Sequence, residues 1–154
     1  MNIHGLVVSE RDGNVNWEEM RDKGIEFAML CAGYGSGSID LQFRKNAESC
    51  TKLGIPFGVY WLSYAYTVEK AEQEAELCVE TVEEFELAYP LCVKYDYSSM
   101  RYAQSKGIWV TEELAWEMVR VFGRRAEEKG YTSMCFLELD GCRIVSGIEK
   151  ISNL

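Results

Sequence analysis

The sequence predicts an α/β fold of repeated strand–helix units, because short apolar runs alternate with longer amphipathic ones and the longer runs carry helix caps or glycine stops. A second observation concerns size. The 154 residues, 47% hydrophobic and 12% aromatic, suit one compact domain over residues 1–154. With two prolines and no low-complexity stretch, nothing marks a linker or a boundary.

The elements follow in order. His4–Val8 reads as a first strand, and a turn through Asp12-Gly13-Asn14 leads to a short helix, Trp17–Lys23, that stops near Gly24. Glu26–Cys31 is a second apolar run of strand length. Leu41, Phe43, Ala47 and Cys50 recur at helical spacing over Asp40–Leu53, and Gly54 supplies the stop. Phe57–Leu62 is the third strand. In Thr67–Phe85, Ala71, Ala75, Cys78, Val79 and Val82 form an apolar stripe beneath a glutamate-rich face, which predicts an amphipathic helix. Leu91–Tyr95 is the fourth strand. Thr111 can cap a helix running to Lys129, with Glu112 and Glu113 placed against its dipole. Ser133–Leu137 is the fifth strand, and Arg143–Val145 reads as a last short one.

Charge and composition exclude several functions. A net charge of −9 and a pI near 4.7 repel a phosphate backbone or an anionic lipid surface, so neither nucleic acid nor membrane is an expected partner. No apolar run approaches the length of a membrane span. Met1-Asn2-Ile3-His4-Gly5 lacks the pattern of a secretory leader, so the expectation is a cytoplasmic chain as encoded, reaching a cell wall only by another route. The six cysteines form no CxxC pair, and Cys31, Cys92 and Cys135 lie in apolar runs, so buried reduced thiols are expected rather than disulfides. A single histidine, His4, and no ligand pair at finger spacing lead to an expectation of no metal and no cofactor.

Parallel strands joined by helical crossovers gather their functional residues at the carboxyl ends. Here those ends read Ser9-Glu10, Ala32-Gly33-Tyr34-Gly35, Tyr60-Trp61-Leu62-Ser63-Tyr64-Ala65 and Lys94-Tyr95-Asp96. Aromatic side chains flanked by small residues suit stacking on sugar rings, which makes Tyr34, Tyr60, Trp61, Tyr64 and Tyr95 candidate substrate contacts. A filled, packed mouth is the competing reading of the same aromatics.

Further motifs extend this reading: Gly13-Asn14-Val15-Asn16-Trp17, Gly24-Ile25-Glu26-Phe27, Ala32-Gly33-Tyr34-Gly35, and Asp40 with Phe43 and Asn46. Gly54-Ile55-Pro56-Phe57-Gly58-Val59-Tyr60-Trp61-Leu62-Ser63-Tyr64-Ala65 is the most specific, followed by Glu74-Ala75 and Tyr89-Pro90-Leu91. Over residues 5 to 96 the chain thus resembles glycoside hydrolase family 25, the Chalaropsis-type lysozymes of bacteria and their phages. The resemblance implies a TIM-like (β/α) barrel and a muramidase that cleaves the β-1,4 bond between N-acetylmuramic acid and N-acetylglucosamine.

Glycoside hydrolysis needs two carboxyl groups about 5–9.5 Å apart. The family draws its acids from the first strand and from an Asp-x-Glu closing the fourth. In this chain the first-strand pattern Gly-Ile-Asp-Val-Ser reads Gly5-Leu6-Val7-Val8-Ser9, which puts Val7 at the aspartate. The fourth-strand pattern Pro-Val-x-x-Asp-x-Glu reads Pro90-Leu91-Cys92-Val93-Lys94-Tyr95-Asp96, so Lys94 replaces the aspartate and Asp96 is a shortened glutamate. Strand residues two apart share a face, which brings Lys94 and Asp96 together. An adjacent ammonium favours the ionised carboxylate, whereas a general acid must hold its proton. Asp96 is therefore the one candidate catalytic residue and better suited to an ion pair. Cys31 stands where an arginine often precedes the Ala-Gly-Tyr-Gly motif. Glu10, Asp12, Glu138 and Asp140 are replacement acids only if they leave the solvated turns that such segments usually form.

Family members continue beyond Gly130-Tyr131 through several more strands, whereas here a closing segment, Arg143-Ile144-Val145-Ser146-Gly147-Ile148, arrives early. A closed (β/α)₈ barrel takes about 200 residues or more. The expectation is an incomplete TIM-like barrel of about five parallel strands and four helices, with open edges that invite a homodimer. Its expected function is that of a lysozyme-like domain without hydrolysis that keeps affinity for peptidoglycan or chitooligosaccharide glycans. The alternatives are an active hydrolase using Asp96 and a relocated acid, and an interaction protein without sugar contact.

Overall fold

The computed structural model describes residues 3–139 and 142–147. Strands β1 (Gly5–Val8), β2 (Phe27–Tyr34), β4 (Phe57–Leu62), β5 (Leu91–Tyr95) and β6 (Ser133–Leu139) lie parallel in that order, curled into a half-barrel. A two-residue strand β3 (Ser38–Ile39) pairs antiparallel with the end of β2, and β7 (Cys142–Gly147) pairs antiparallel with β6. The incomplete barrel expected from the sequence, with its five parallel strands, is present. The closing strand is longer than Arg143–Val145 and runs opposite to its neighbour.

Helices α1 (Trp17–Asp22), α2 (Phe43–Leu53), α3 (Val68–Val82) and α5 (Glu112–Glu128) fall where the periodicity put them. Asn16, Thr67 and Thr111 cap α1, α3 and α5 by accepting from the N–H groups of Glu19, Lys70 and Leu114. Gly54, at φ 71°, ends α2 in the left-handed conformation that a Cβ disfavours. A fifth helix, α4 (Tyr97–Ser105), corrects the expected four. Its start is a capping box: Asp96 accepts from the Ser98 and Ser99 N–H groups, and Ser99 Oγ accepts from Asp96 N.

Strand alternation divides the sheet into two faces. Ala28 and Leu30, then Phe57, Val59 and Trp61, then Leu91, Val93 and Tyr95, then Cys135 and Leu137 join one core with Phe43, Ala47 and Cys50 of α2, the stripe of α3, and Met118, Val119 and Phe122 of α5. Met29, Tyr60, Leu62, Lys94, Met134 and Phe136 point the other way and stay half-buried on the concave face. Five cysteines are buried, and Cys31, Cys50, Cys78 and Cys92 are free thiols. Cys142 lies in β7, of which only the backbone is described. Asp140 lies outside the described residues. Among the described residues no helix is long and apolar enough to cross a membrane.

Candidate functional site

The carboxyl ends of the strands surround a cavity of about 470 Å³ lined by Ser9, Glu10, Arg11, Cys31, Tyr34, Asp40, Tyr60, Leu62, Tyr64, Lys94, Asp96 and Ser98. Its position follows from the faces above: Cys31, Tyr60, Leu62 and Lys94 are concave-face residues at the ends of β2, β4 and β5. Tyr34 joins them through a bulge. The register between β2 and β4 runs Cys31↔Tyr60 and then Gly33↔Trp61, so Ala32 is the extra residue and Tyr34 comes to oppose Leu62. Without it, simple alternation would turn Tyr34 away from Cys31's face.

The bulge depends on glycine. A Cβ on Gly33 would lie 2.5 Å from the Ser38 carbonyl oxygen and 2.7 Å from the Trp61 ring. That ring is fully buried, 0% exposed, and its Nε1 donates to Gly35 O at 3.1 Å. Tyr95 is likewise 0% exposed, and its hydroxyl donates to Ala65 O at 3.3 Å. Both were expected to contact substrate. Both are corrected, because adjacent strand residues face opposite sides and theirs is the helix-packed side. Trp61 braces the loop after β2, and Tyr95 the loop after β4, from beneath.

Of the acids, Asp40 is buried and accepts from Glu10 N at 2.8 Å and from Gln42 N at 2.9 Å. Glu10 in turn accepts from Leu41 N at 2.8 Å, so the two carboxylates lace the loop after β1 to the loop before α2. The Cys31 thiol beside them is pushed up to about 12, chiefly by burial and then by the charge of Asp40, which leaves it protonated and unreactive. Burial, followed by Cys31, also raises Tyr60, whose hydroxyl donates to Val8 O at 3.4 Å.

Asp96 is committed to α4. Its Oδ1 accepts from Ser98 N at 2.9 Å and Ser98 Oγ at 2.5 Å, and its Oδ2 stands 3.9 Å from Lys94 Nζ. Lys94 also lies over the Phe136 ring, 5.4 Å from its centroid. Val7 is 67% exposed on the edge strand and does not line the cavity. Asp12 is exposed and accepts from Ser9 N, Glu138 is half-buried in β6 outside the cavity, and His4 is exposed. Asp40 and Arg11 are cavity residues that sequence reasoning did not select as such. Asp40 stood in a recognised motif, but nothing local signals that a lone aspartate will reach a loop 30 residues away. Among the described residues no cluster of three His, Cys, Asp or Glu side chains is arranged to hold a metal.

A second cavity of about 270 Å³ lies beside the first, sharing Tyr34 and Tyr64 and adding Tyr66, Lys70, Glu74 and Tyr102. Glu74 is 2% exposed and accepts from Ser63 Oγ and from Tyr64 N. Burial pushes its carboxyl up to about 7, against those hydrogen bonds and the charge of Lys70, which pull it down.

A half-barrel of parallel strands with its cavity at the carboxyl ends is one part of a (β/α) barrel and its usual site. The profile of Glycosyl hydrolases family 25 matches residues 7–140, and the chain belongs to that family. Solved structures of the same fold include the modular autolysin LytC from Streptococcus pneumoniae in complex with a synthetic peptidoglycan ligand, at TM-score 0.74 and 24% identity over 85% of this chain and 31% of that one. A family 25 glycosyl hydrolase from Bacillus anthracis aligns at TM-score 0.72 and 22% identity, covering 87% and 59%. The catalytic domain of endolysin ply40 from bacteriophage P40 of Listeria monocytogenes aligns at 0.73 and 16%, covering 88% and 63%. The chain therefore spans less than two thirds of each of these relatives. No curated protein matches it.

Proposed function

We propose that this domain is a lysozyme-like glycan-binding protein that does not hydrolyse its ligand. The observation that carries the reading is the fate of Asp96, the one carboxylate left at the family's acid positions: its Oδ1 is spent on the backbone of α4. With Val7 apolar and Lys94 cationic, the family's acid positions do not supply the two carboxyl groups that the chemistry needs, and the cavity's other acids, Glu10 and Asp40, are engaged by loop backbone N–H groups. Glycan affinity is supported by Tyr34, Tyr60 and Tyr64 on a cavity of ligand size, and by family relatives such as LytC, solved with a peptidoglycan ligand.

Turbidity clearing of purified peptidoglycan tests the first half. We expect none from the natural chain, and clearing that disappears in Asp96→Asn would overturn the reading. Titration with chitooligosaccharide or muropeptide tests the second. No heat signal with either leaves an interaction protein without sugar contact.

Self-association is part of the same proposal. The outer edge of β1 has no strand partner among the described residues; Val7 in the strand and Ile3 just before it are exposed. Light scattering after size exclusion is expected to show a dimer at high concentration, and a monomer throughout would refute it.

A further inference from the structure

The second cavity, of about 270 Å³, has two charged side chains in its wall among the described residues, Lys70 and Glu74, four residues apart on α3. Side chains at that spacing lie on one helix face, within reach of each other. They do not meet. Lys70 Nζ lies over the Tyr66 ring, 5.0 Å from its centroid, and forms no salt bridge with Glu74. Glu74, 2% exposed, has its two oxygens taken by Ser63 Oγ and Tyr64 N.

A buried carboxyl held by two neutral donors is favoured as the acid, and the ion becomes tolerable when an opposite charge reaches contact with it. The other groups that face Glu74 supply no such charge. Cys78 on α3 and Tyr95 on β5 are themselves buried, and burial together with the negative charge of Glu74 raises both, which holds them neutral. Tyr34 from β2, Tyr64 and Tyr66 from the turn after β4, and Tyr102 from α4 complete the wall with rings. Lys70 is therefore the cation available to an ionised Glu74.

We propose that Lys70 is a two-position latch on the second cavity, resting on Tyr66 while Glu74 is protonated and entering the cavity to pair with Glu74 when that carboxyl ionises. The cavity is open in the first position and filled in the second. Burial raises the Glu74 carboxyl to about 7, so the change falls at neutral pH rather than in acid. Tyr64 is a wall of both cavities and donates its N–H to Glu74 at 2.9 Å. The latch thus sets whether a ligand in the first cavity has room to extend past Tyr64.

Side-chain NMR of the full chain between pH 5 and pH 8.5 tests this without any ligand. The Lys70 ε-methylene protons, shielded by the Tyr66 ring at pH 5, are expected to lose that shielding with the same midpoint, near 7, at which the Glu74 carboxyl carbon titrates. In Glu74→Gln, whose amide can still accept from Tyr64 N and reach Ser63 Oγ, the Lys70 signals should keep their low-pH position throughout. In Lys70→Met the Glu74 midpoint should rise by about one pH unit, because the ion has lost its partner. Lys70 signals that stay fixed while Glu74 titrates, a midpoint unchanged in Lys70→Met, or a Glu74 that holds one state across the range each overturn the proposal. Lys70 is only half-buried, so Lys70→Met keeps the test decisive if Glu74→Gln does not fold. A chain that meets these expectations yet binds no glycan keeps the latch and loses the glycan reading.

Discussion

Glu74 shows how one residue links the loops around the site to pH. Its two oxygens hold Ser63 and Tyr64, the turn after β4, and its carboxyl is raised from 4.5 to about 7 by burial. Between these values the folded chain keeps a proton that the unfolded chain has released, so stability falls as pH rises through that window. The total is about 3 kcal/mol. Urea midpoints at pH 5 and pH 7.5 should show this loss in the natural chain and a flatter profile in Glu74→Gln. Asp96 makes a second prediction. Asparagine caps a helix as well as aspartate does, so Asp96→Asn should leave thermal stability nearly unchanged, whereas Asp96→Ala should cost about 1 kcal/mol. A much larger loss in the asparagine variant would mean that the pair with Lys94, not the cap, carries the stabilisation.

At the scale of the element, β4 packs closely against its neighbours at Gly58. A Cβ on Gly58 would lie 2.4 Å from the Pro90 carbonyl oxygen, 2.9 Å from Met29 Sδ and 2.9 Å from Tyr89 Cβ. Two of these atoms belong to or sit next to backbone. Gly58→Ala should therefore cost about 1–3 kcal/mol, measured by chemical denaturation, because β4 and β5 must separate. Helix α4 and the short strand β3 were the elements that sequence reasoning missed. The signal for α4 was present as Asp96-x-x-Ser99 ahead of Met100 and Ala103, but the resemblance placed Asp96 at an acid position, where it read as a candidate catalyst or an ion-pair partner, and so hid its role as a cap. The bulge at Ala32 was not legible at all, since its cause is the fit of Gly33 against Trp61 and β3, which are distant or later in the chain.

At the scale of the whole molecule, five parallel strands form half of a barrel, and the concave face that further strands would cover in a closed one is half-buried at Met29, Met134 and Phe136. The open edge at β1 is the address of the dimer proposed above. Val7→Lys should place like charges where two such edges meet and shift the light-scattering mass towards the monomer. Its fold should survive, because the side chain is 67% exposed. A dimer of unchanged concentration dependence would point to another surface.

The sequence by itself determined the order of strands and helices and the family. Hydrophobic period, caps and motif order are local properties and survive without the fold. Only the tertiary structure decided which aromatics meet the cavity. Tyr60 and Trp61 are neighbours with similar chemistry, yet one faces the mouth and the other the helices. Tyr34 reaches the mouth only because a bulge shifts its register. The tertiary structure likewise decided that Lys94 faces an open cavity. Those outcomes depend on sheet parity and on hydrogen bonds that form when distant segments pack, and no local pattern in the chain encodes them.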